Sequence, residues 1–167
     1  MHEFKVVKER RCGYGSRKRF RGSADVYESF KEHFDQLDRE HFVVLLLDVK
    51  NGMLGFHTVS IGSLTSSLVH PREVFKLVVL HNDTVKAQSK EQEITKEVYE
   101  QSMRYSAAAM ILMHNHPSGD PGPSQEDLHM TKRLREIGEV VGVRVLDHLI
   151  FGDSRYVSFV DDGYWEK

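Results

Sequence analysis

A short apolar run, followed at once by two histidines and a turn, is the feature that most constrains this chain. The run AAAMILM ends at Met113, and the stretch HNHPSGDPGPSQED begins at His114. Because Pro117 ends the run so soon, it fits a buried strand better than a helix. The residues from Ser124 onward have helical periodicity. The feature therefore predicts a buried strand, a Pro/Gly turn and a helix, with polar side chains where they meet.

Three of these polar side chains make a candidate metal site. His114 and His116 are two positions apart, and residues i and i+2 of a strand project to the same side. Asp127 falls in the first turn of the helix, which the SGDPGP turn brings close to the strand end. Two imidazoles and one carboxylate suit zinc and leave a fourth tetrahedral position open, as in catalytic sites. We therefore predict that His114, His116 and Asp127 hold Zn²⁺.

A hydrolytic metal site also needs a proton acceptor and a donor that faces the developing oxyanion. Ser124, at the helix entrance, supplies a hydroxyl for the second role. For the acceptor, the residues alone leave several glutamates open, among them Glu40, Glu73 and Glu97. Ser124 and Asp127 also form an ordinary S-x-x-D helix start, so a plain capping pair is the alternative for these two residues.

The rest of the chain alternates helices with strands. Ser23 is expected to cap a helix, and HFVVLLLDV and MLGFHTVSIG are expected to pair as antiparallel strands around the turn KNG. Another helix is expected to begin at Pro71, and VRVLDHLIFG and YVSFV to form two closing strands. This order predicts an α/β fold with a mixed β-sheet flanked by helices. The apolar positions of the first helix recur at spacings of four and three: Val26, Phe30, Phe34 and Leu37.

Composition limits the class of protein. A chain of 167 residues with 40% apolar residues suits one domain, and a net charge of −2 argues against a surface built throughout to neutralise phosphates. The single cysteine, Cys12, excludes an intramolecular disulfide framework or a cysteine-based zinc cluster and fits a reducing compartment. No basic-then-apolar leader opens the sequence, and its apolar runs are too short to cross a bilayer. We therefore expect a cytoplasmic protein without membrane association.

Residues 1–22 are expected to be a basic lead-in and residues 23–167 the folded domain. The lead-in carries RRCGYGSRKRFRG, in which arginines and lysine alternate with glycine and aromatic residues. The simplest interpretation is a solvated tail. The alternative is a local contact with nucleic acid, for which such a segment is also suited.

The stretch HNHPSGDPGPSQED resembles the JAMM zinc motif of JAB/MPN metallopeptidases, in the version carried by the bacterial RadC family. Three further stretches resemble RadC sequences in the same order, so that the resemblance covers about Ser23 to Gly163. These stretches are DREHFVVLLLDVKN, SIGSLTSSLVHPREVF and GVRVLDHLIFGDSRYVS.

The resemblance implies a cytidine-deaminase-like α/β fold and a set of roles. It implies Ser124 as oxyanion stabiliser and Glu40 as the acid/base glutamate, since Glu40 matches the family's glutamate at the start of an upstream strand. Glu73 is the alternative for that role. The zinc ligands implied by the resemblance are those that the spacing predicts: His114, His116 and Asp127.

Two departures from the family pattern carry expectations of their own. Longer members have an N-terminal helical domain, so this chain resembles the short stand-alone forms, and DNA binding attributed to that domain does not carry over. At about residues 77–100 the chain is expected to hold an inserted segment, a flap or partner surface beside the zinc. Asp147 and His148 match the family's LDH text, either as support for a zinc ligand or as a buried structural pair.

The function that these features favour is zinc-dependent hydrolysis of peptide or isopeptide bonds in a protein or peptide substrate. One alternative is a non-enzymatic protein-interaction or DNA-repair-associated JAB module in which zinc is structural. Another is a DNA-processing protein that uses the basic lead-in. A His-Asn-His nuclease has only the triplet in its favour, and the H-x-E and P-C-x-x-C pattern of zinc deaminases is absent from the sequence.

Overall fold

The fold comes from a computed structural model that describes residues 18–62, 69–78 and 106–166. Within these ranges, helices and strands alternate along the chain, which confirms the predicted α/β class. The strands are β1 (His41–Leu47), β2 (Met53–Ile61), β3 (Ala109–Asn115), β4 (Arg144–Phe151) and β5 (Tyr156–Ser158). The helices are α1 (Ser23–Asp35), α2 (residues 71–78) and α3 (Gln125–Val141).

The sheet is mixed, as predicted, with the strand order β2-β1-β3-β4-β5. β1 pairs with β2 and β3 in antiparallel fashion, β3 and β4 are parallel, and β5 returns antiparallel to β4. Parallel neighbours need a crossover, and here the crossover is α3. Because α3 starts where β3 ends, its first turn lies at the end of the sheet to which β3 and β4 both run.

The core lies on both faces of the sheet because β1 is apolar at every position after His41. Its odd and even residues alternate between two clusters, as the pleat of a strand requires. One cluster contains Phe42, Val44 and Leu46 together with residues of α2 and α3. The other contains Val43, Leu45 and Leu47 together with residues of α1. The fold is thus three layers deep, with α1 on one side and α2 and α3 on the other.

Strand β3 ends two residues later than the apolar run predicts. His114 therefore lies within the strand, opposite Phe42 on β1 and Ile150 on β4. Met110 and Leu112 belong to the cluster on the α2–α3 side, so the same alternation directs His114 toward α3.

The predicted helix cap at Ser23 is wrong. Gly22 occupies the N-cap position without a side-chain cap, and Ser23 is the first residue of α1. Its hydroxyl instead forms hydrogen bonds with Tyr156, at 3.1 Å, and with Asp161. The Ser23 side chain thus bonds to residues near the C-terminal end of the chain instead of capping its own helix. The predicted core face of α1 is confirmed for the buried residues Val26, Phe30 and Phe34.

The end of the basic lead-in already belongs to the fold. The amide of Met53 donates to the carbonyl of Lys18 at 2.9 Å, and Phe20 is 5% exposed within the α1-side cluster. Residues 1–17 lie outside the described residues, as do residues 79–100 of the expected insertion. Among the helices of the described ranges, none is long and apolar enough to cross a membrane.

Candidate metal centre

Two histidines meet at the end of β3. His114 is fully buried in the strand, and His116, one residue beyond it, has a side chain that is 16% exposed. Their Nε2 atoms lie 2.9 Å apart, so the convergence expected from their spacing is present. The Nδ1–H group of His116 donates to the carbonyl of Asp120 at 2.8 Å, so that in the neutral ring the lone pair is on Nε2, the atom that faces His114.

Asp127 completes a cluster of three side chains. It lies in the first turn of α3 and is 2% exposed. Its Oδ1 atom lies 3.3 Å from Nε2 of His114, and its Oδ2 atom lies 3.5 Å from Nε2 of His116. One strand end, one turn and one helix start thus bring two imidazole nitrogens and a carboxylate together.

Ser124 and Asp127 form the capping box that the sequence left as an alternative. The Ser124 amide donates to Asp127 Oδ2 at 2.8 Å, and the Asp127 amide donates to Ser124 Oγ at 3.1 Å. The Ser124 hydroxyl donates to the same carboxylate oxygen at 2.7 Å. Asp127 can cap the helix and face the histidines at the same time, because the capping box holds its side chain in the rotamer that points toward them.

Glu40 reaches the same place from β1. It immediately precedes the strand, its side chain is 18% exposed, and its Oε1 atom lies 4.0 Å from Nε2 of His114. Glu40, His114 and His116 form a group whose donor atoms lie within 4.8 Å of one another, close enough to hold a metal ion. Glu73 lies exposed on α2 and pairs with Arg72 at 3.3 Å.

Asn115 holds Glu40 in place. Its Oδ1 atom accepts from the amide of His41 at 2.8 Å, and its Nδ2 group donates to the carbonyl of Arg39 at 2.9 Å. The side chain therefore grips the backbone on both sides of Glu40. Asn115 alternates with the two histidines, so the middle residue of the His-Asn-His triplet turns to the opposite side of the strand.

The turn between β3 and α3 is fixed by a close backbone approach. Gly119 has φ of +81°, and its carbonyl accepts from the amide of Asp153 at 2.9 Å. A Cβ atom on Gly152 would lie 2.5 Å from the Gly119 oxygen and 2.6 Å from Cδ of Pro121. The amide of His116 donates to the carbonyl of Phe151 at 2.9 Å, so the last residue of β4 supports this histidine directly.

Burial and neighbouring charges set the protonation states. Burial, together with His148, holds the pKa of His114 well below its ordinary value. Burial opposes ionisation of Asp127, but His116 and His114 outweigh it, so the pKa of Asp127 lies below its usual range. Burial also opposes protonation of His116, but its hydrogen bond with Asp127 prevails and the pKa is raised. Near neutral pH the centre therefore combines an anionic carboxylate with a neutral, buried imidazole.

A second polar layer lies behind His114. Nδ1 of His114 lies 2.8 Å from Nε2 of His148, and Nδ1 of His148 lies 2.6 Å from Oγ1 of Thr131. His148 is fully buried and Thr131 is 2% exposed. Burial lowers the pKa of His148 to about 4. Asp147 makes separate hydrogen bonds, accepting from the Ser158 hydroxyl at 2.7 Å.

Sequence reasoning missed Thr131 and Asn115. Thr131 lies one helical turn after Asp127, so its place on the same helix face was readable from an i, i+4 spacing. Asn115 lies between two candidate ligands, but its partners come from a distant part of the chain. The remaining candidates fall elsewhere: Glu97 and most of the basic lead-in lie outside the described residues.

Comparison with known protein families matches most of the chain. The family model for the RadC-like JAB domain matches residues 20–85 and 87–164. These ranges include residues 77–85 and 87–100, where the sequence suggested an insertion.

Several curated bacterial proteins are similar to the chain. A UPF0758 protein of Desulforamulus reducens is 47% identical over 139 residues, which cover 83% of this chain and 51% of that protein. One of Geotalea uraniireducens is 44% identical over 155 residues, which cover 90% of this chain and 58% of that protein. The chain thus spans about half the length of the curated relatives it matches. It belongs to the family of proteins with a RadC-like JAB domain.

Proposed function

We propose that this chain is a zinc-dependent hydrolase of peptide or isopeptide bonds. In this proposal His114, His116 and Asp127 hold the ion, Glu40 transfers protons, and Ser124 stabilises the oxyanion. The proposed substrate is a protein or peptide. This part of the proposal rests on the resemblance to JAB/MPN metallopeptidases.

The observation that carries the proposal is the spacing of the donor atoms on these three side chains. Nε2 of His114, Nε2 of His116 and the nearer oxygens of Asp127 are separated by 2.9, 3.3 and 3.5 Å. Four ligands placed tetrahedrally at zinc bond lengths of about 2.0–2.1 Å lie roughly 3.3 Å from one another. The donor set is also of the type that zinc prefers, with two imidazoles and a carboxylate.

When bound, zinc supplies a Lewis acid and a water that ionises near neutral pH. The protein residues supply the rest. His116 keeps its lone pair toward the site because Nδ1–H is committed to the carbonyl of Asp120. Asp127 contributes an anion whose ionised form is stabilised within the cluster.

Glu40 suits the proton-transfer role. Its carboxylate lies beside His114 but is partly open to solvent, so it is within reach of both a substrate and the metal ligands. A carboxylate there takes a proton from the nucleophile and returns it to the leaving amine. Asn115 fixes its backbone, which keeps that reach constant.

Ser124 needs one change to act on a substrate. In the structure its hydroxyl proton is donated to Asp127 Oδ2. To stabilise an oxyanion, the hydroxyl must turn from this carboxylate toward the substrate, while its backbone stays anchored by the Ser124 amide. Ser124 is exposed, so the rotation has room.

The test combines metal content with hydrolysis by the purified chain. Wild type, Glu40→Gln, Glu73→Gln and Asp127→Asn are loaded with Zn²⁺, measured by elemental mass spectrometry, and incubated with a library of peptides and lysine isopeptides. We expect about one zinc per chain in all except Asp127→Asn, and cleavage only by wild type and Glu73→Gln. Glu73→Gln is the matched control, because it removes the alternative glutamate.

Zinc without cleavage of any library member would favour the non-enzymatic module with a structural ion. Cleavage that survives in Glu40→Gln would remove Glu40 from its role. Failure of the wild type to bind zinc would overturn the proposal as a whole and leave Ser124 and Asp127 as a helix cap.

A further inference from the structure

We infer that Thr131 and His148 are positioning residues that keep the Nε2 lone pair of His114 directed at the metal site. The link to metal binding rests on the proposed function. The hydrogen bonds themselves, which lie on the side of His114 away from the site, do not depend on it. The chain joins Asp127, Thr131, His148 and His114, and we call it the relay.

The donor and acceptor of each hydrogen bond in the relay are fixed by its first bond, between Thr131 and the backbone carbonyl of Asp127. The hydroxyl of Thr131 lies 2.6 Å from the carbonyl oxygen of Asp127, and only the hydroxyl can donate in that pair. Its single proton is thereby used. Toward Nδ1 of His148, 2.6 Å away, the Thr131 oxygen can only accept, so Nδ1 of His148 carries the proton.

The proton on Nδ1 of His148 then determines the tautomer of His114. A neutral imidazole protonated on Nδ1 has its lone pair on Nε2. Nε2 of His148 therefore accepts, and the donor 2.8 Å away is Nδ1–H of His114. The lone pair of His114 is left on Nε2, the atom that faces His116 and Asp127. With the opposite direction Nε2 of His114 would carry a proton, and the ring could not bind an ion there.

The side chains around the relay exclude water from its hydrogen bonds. His148 is fully buried and Thr131 is 2% exposed, so water is not at hand to replace either bond. Phe42 and Phe159 enclose the rings, and the ring centroids of Phe159 and His148 are 4.8 Å apart in a stacked arrangement. An unpaired polar atom in such a place is costly, so each member depends on the next.

The relay also joins two different metal-holding elements. It begins at the backbone carbonyl of Asp127 on α3, passes through β4 and ends on β3. It therefore fixes the distance between the first turn of α3 and the His114 ring, as well as the tautomer of that ring. A residue that only filled space would fix neither.

The first measurement is the tautomer of His114 in the metal-free wild-type protein. A long-range ¹H–¹⁵N correlation spectrum distinguishes a ring protonated on Nδ1 from one protonated on Nε2. We expect Nδ1–H on both His114 and His148. Protonation of either ring on Nε2 alone would overturn the inference, and it would do so whether or not the protein proves to be a hydrolase.

The second measurement is the affinity for Zn²⁺, determined by competition with a chromophoric chelator. Thr131→Val has nearly the shape of threonine but lacks the hydroxyl, and we expect a loss of about 10–100-fold, as for groups that support a metal-binding histidine. Thr131→Ser restores the hydroxyl and is expected to stay within about 3-fold of wild type, given that range. Equal affinity of Thr131→Val and wild type would overturn the inference.

Val143→Ala is the control for lost stability. Val143 is buried just beyond the opposite end of α3, so its truncation weakens the core without touching the relay. We expect a lower unfolding temperature and unchanged zinc affinity. An affinity loss equal to that of Thr131→Val would mean that the relay only stabilises the fold.

His148 provides an independent pair of variants. In His148→Gln the amide can still accept from Nδ1–H of His114, whereas in His148→Leu nothing can. We expect tighter zinc binding by the glutamine variant than by the leucine variant, and the reverse order would contradict the relay. If the wild type takes up no zinc, the proposed hydrolase fails while the tautomer spectrum still decides the inference.

Discussion

His114 and His116 turn their Nε2 atoms toward each other at a separation of 2.9 Å, with the carboxylate of Asp127 beside both. Two imidazole lone pairs and an anion at this distance repel one another in a buried site unless a cation lies among them. The capping box and the hydrogen bond from His116 to Asp120 keep the three groups there. The fold therefore maintains an arrangement that is favourable only when positive charge is present.

Asp127→Asn should remove the stabilisation that zinc provides. In wild type, zinc at a thousandfold excess over its dissociation constant is expected to raise the free energy of unfolding by about 4 kcal/mol. The variant should show little increase, since the asparagine has lost the anion. The measurement is thermal unfolding with and without Zn²⁺. Asp120→Asn, an exposed change in the same turn that keeps the backbone carbonyl, should respond as wild type, and an equal loss there would contradict the assignment.

Gly152→Ala should displace the turn that carries His116. The added Cβ atom would lie 2.5 Å from the Gly119 oxygen, and neither partner is a flexible side chain. We expect a loss of about 1–3 kcal/mol in stability, as for other overpacked sites, and weaker zinc binding. Gly55→Ala on β2 is the control, because its Cβ atom would have no neighbour within 4 Å. Similar behaviour of the two variants in denaturation and zinc titration would show that the close approach is unimportant.

Asn115→Ala should loosen the position of Glu40 beside His114. Loss of the amide leaves the backbone groups on both sides of Glu40 without their partner, at a cost of about 1–3 kcal/mol for each buried group that stays unpaired. Zinc affinity should change less than hydrolysis, since Asn115 is turned away from the ion. The direct measurement is hydrogen exchange of the His41 amide. Asn115→Asp keeps the acceptor for that amide and should retain more of its protection; equal exchange in both variants would argue against the anchor.

Stability of the metal-free protein should fall as the pH is lowered from about 6.5 to about 4. The folded state holds the pKa of His148 near 4, whereas the ordinary value is 6.5. In that window the unfolded chain binds a proton that the folded chain does not, so acid favours unfolding, by up to about 3 kcal/mol for this residue. The raised pKa of His116 acts in the opposite direction.

Chemical denaturation across this pH range measures the effect. The difference between wild type and His148→Gln isolates the contribution of His148. This difference should change with pH between about 6.5 and about 4, and it should become constant below about pH 4, where both folded and unfolded wild type carry the proton. His129→Gln, a change at an exposed histidine of α3, should leave the wild-type profile intact. Parallel profiles for wild type and His148→Gln would be incompatible with the low pKa.

Patterns along the chain were sufficient to predict the strands, the helices and the convergence of His114 and His116. These features depend on local signals: a continuous apolar run in β1, a short apolar run followed by two histidines two positions apart in β3, and a helix start at Ser124. The cap of α1 was wrong because Ser23 bonds to Tyr156, across a separation of 133 positions. Asn115 was missed for the same reason, since its partners are 74 and 76 positions away. Spacing predicts which side chains lie on one face of a helix or strand, but it does not predict which distant residues will form hydrogen bonds with them.

The elements that build this centre differ in how far apart they lie in the chain. The two histidines and Asp127 belong to one continuous strand–turn–helix segment, whereas Glu40 arrives only when β1 pairs with β3. Closing a short loop costs little entropy, and distant pairing comes later in folding. The half proposed to hold the ion can therefore assemble early, and Glu40, proposed to transfer protons, joins when the sheet is complete. A partly folded chain would then retain metal while lacking the group that makes the metal hydrolytic, so that completion of the fold itself switches on the proposed activity.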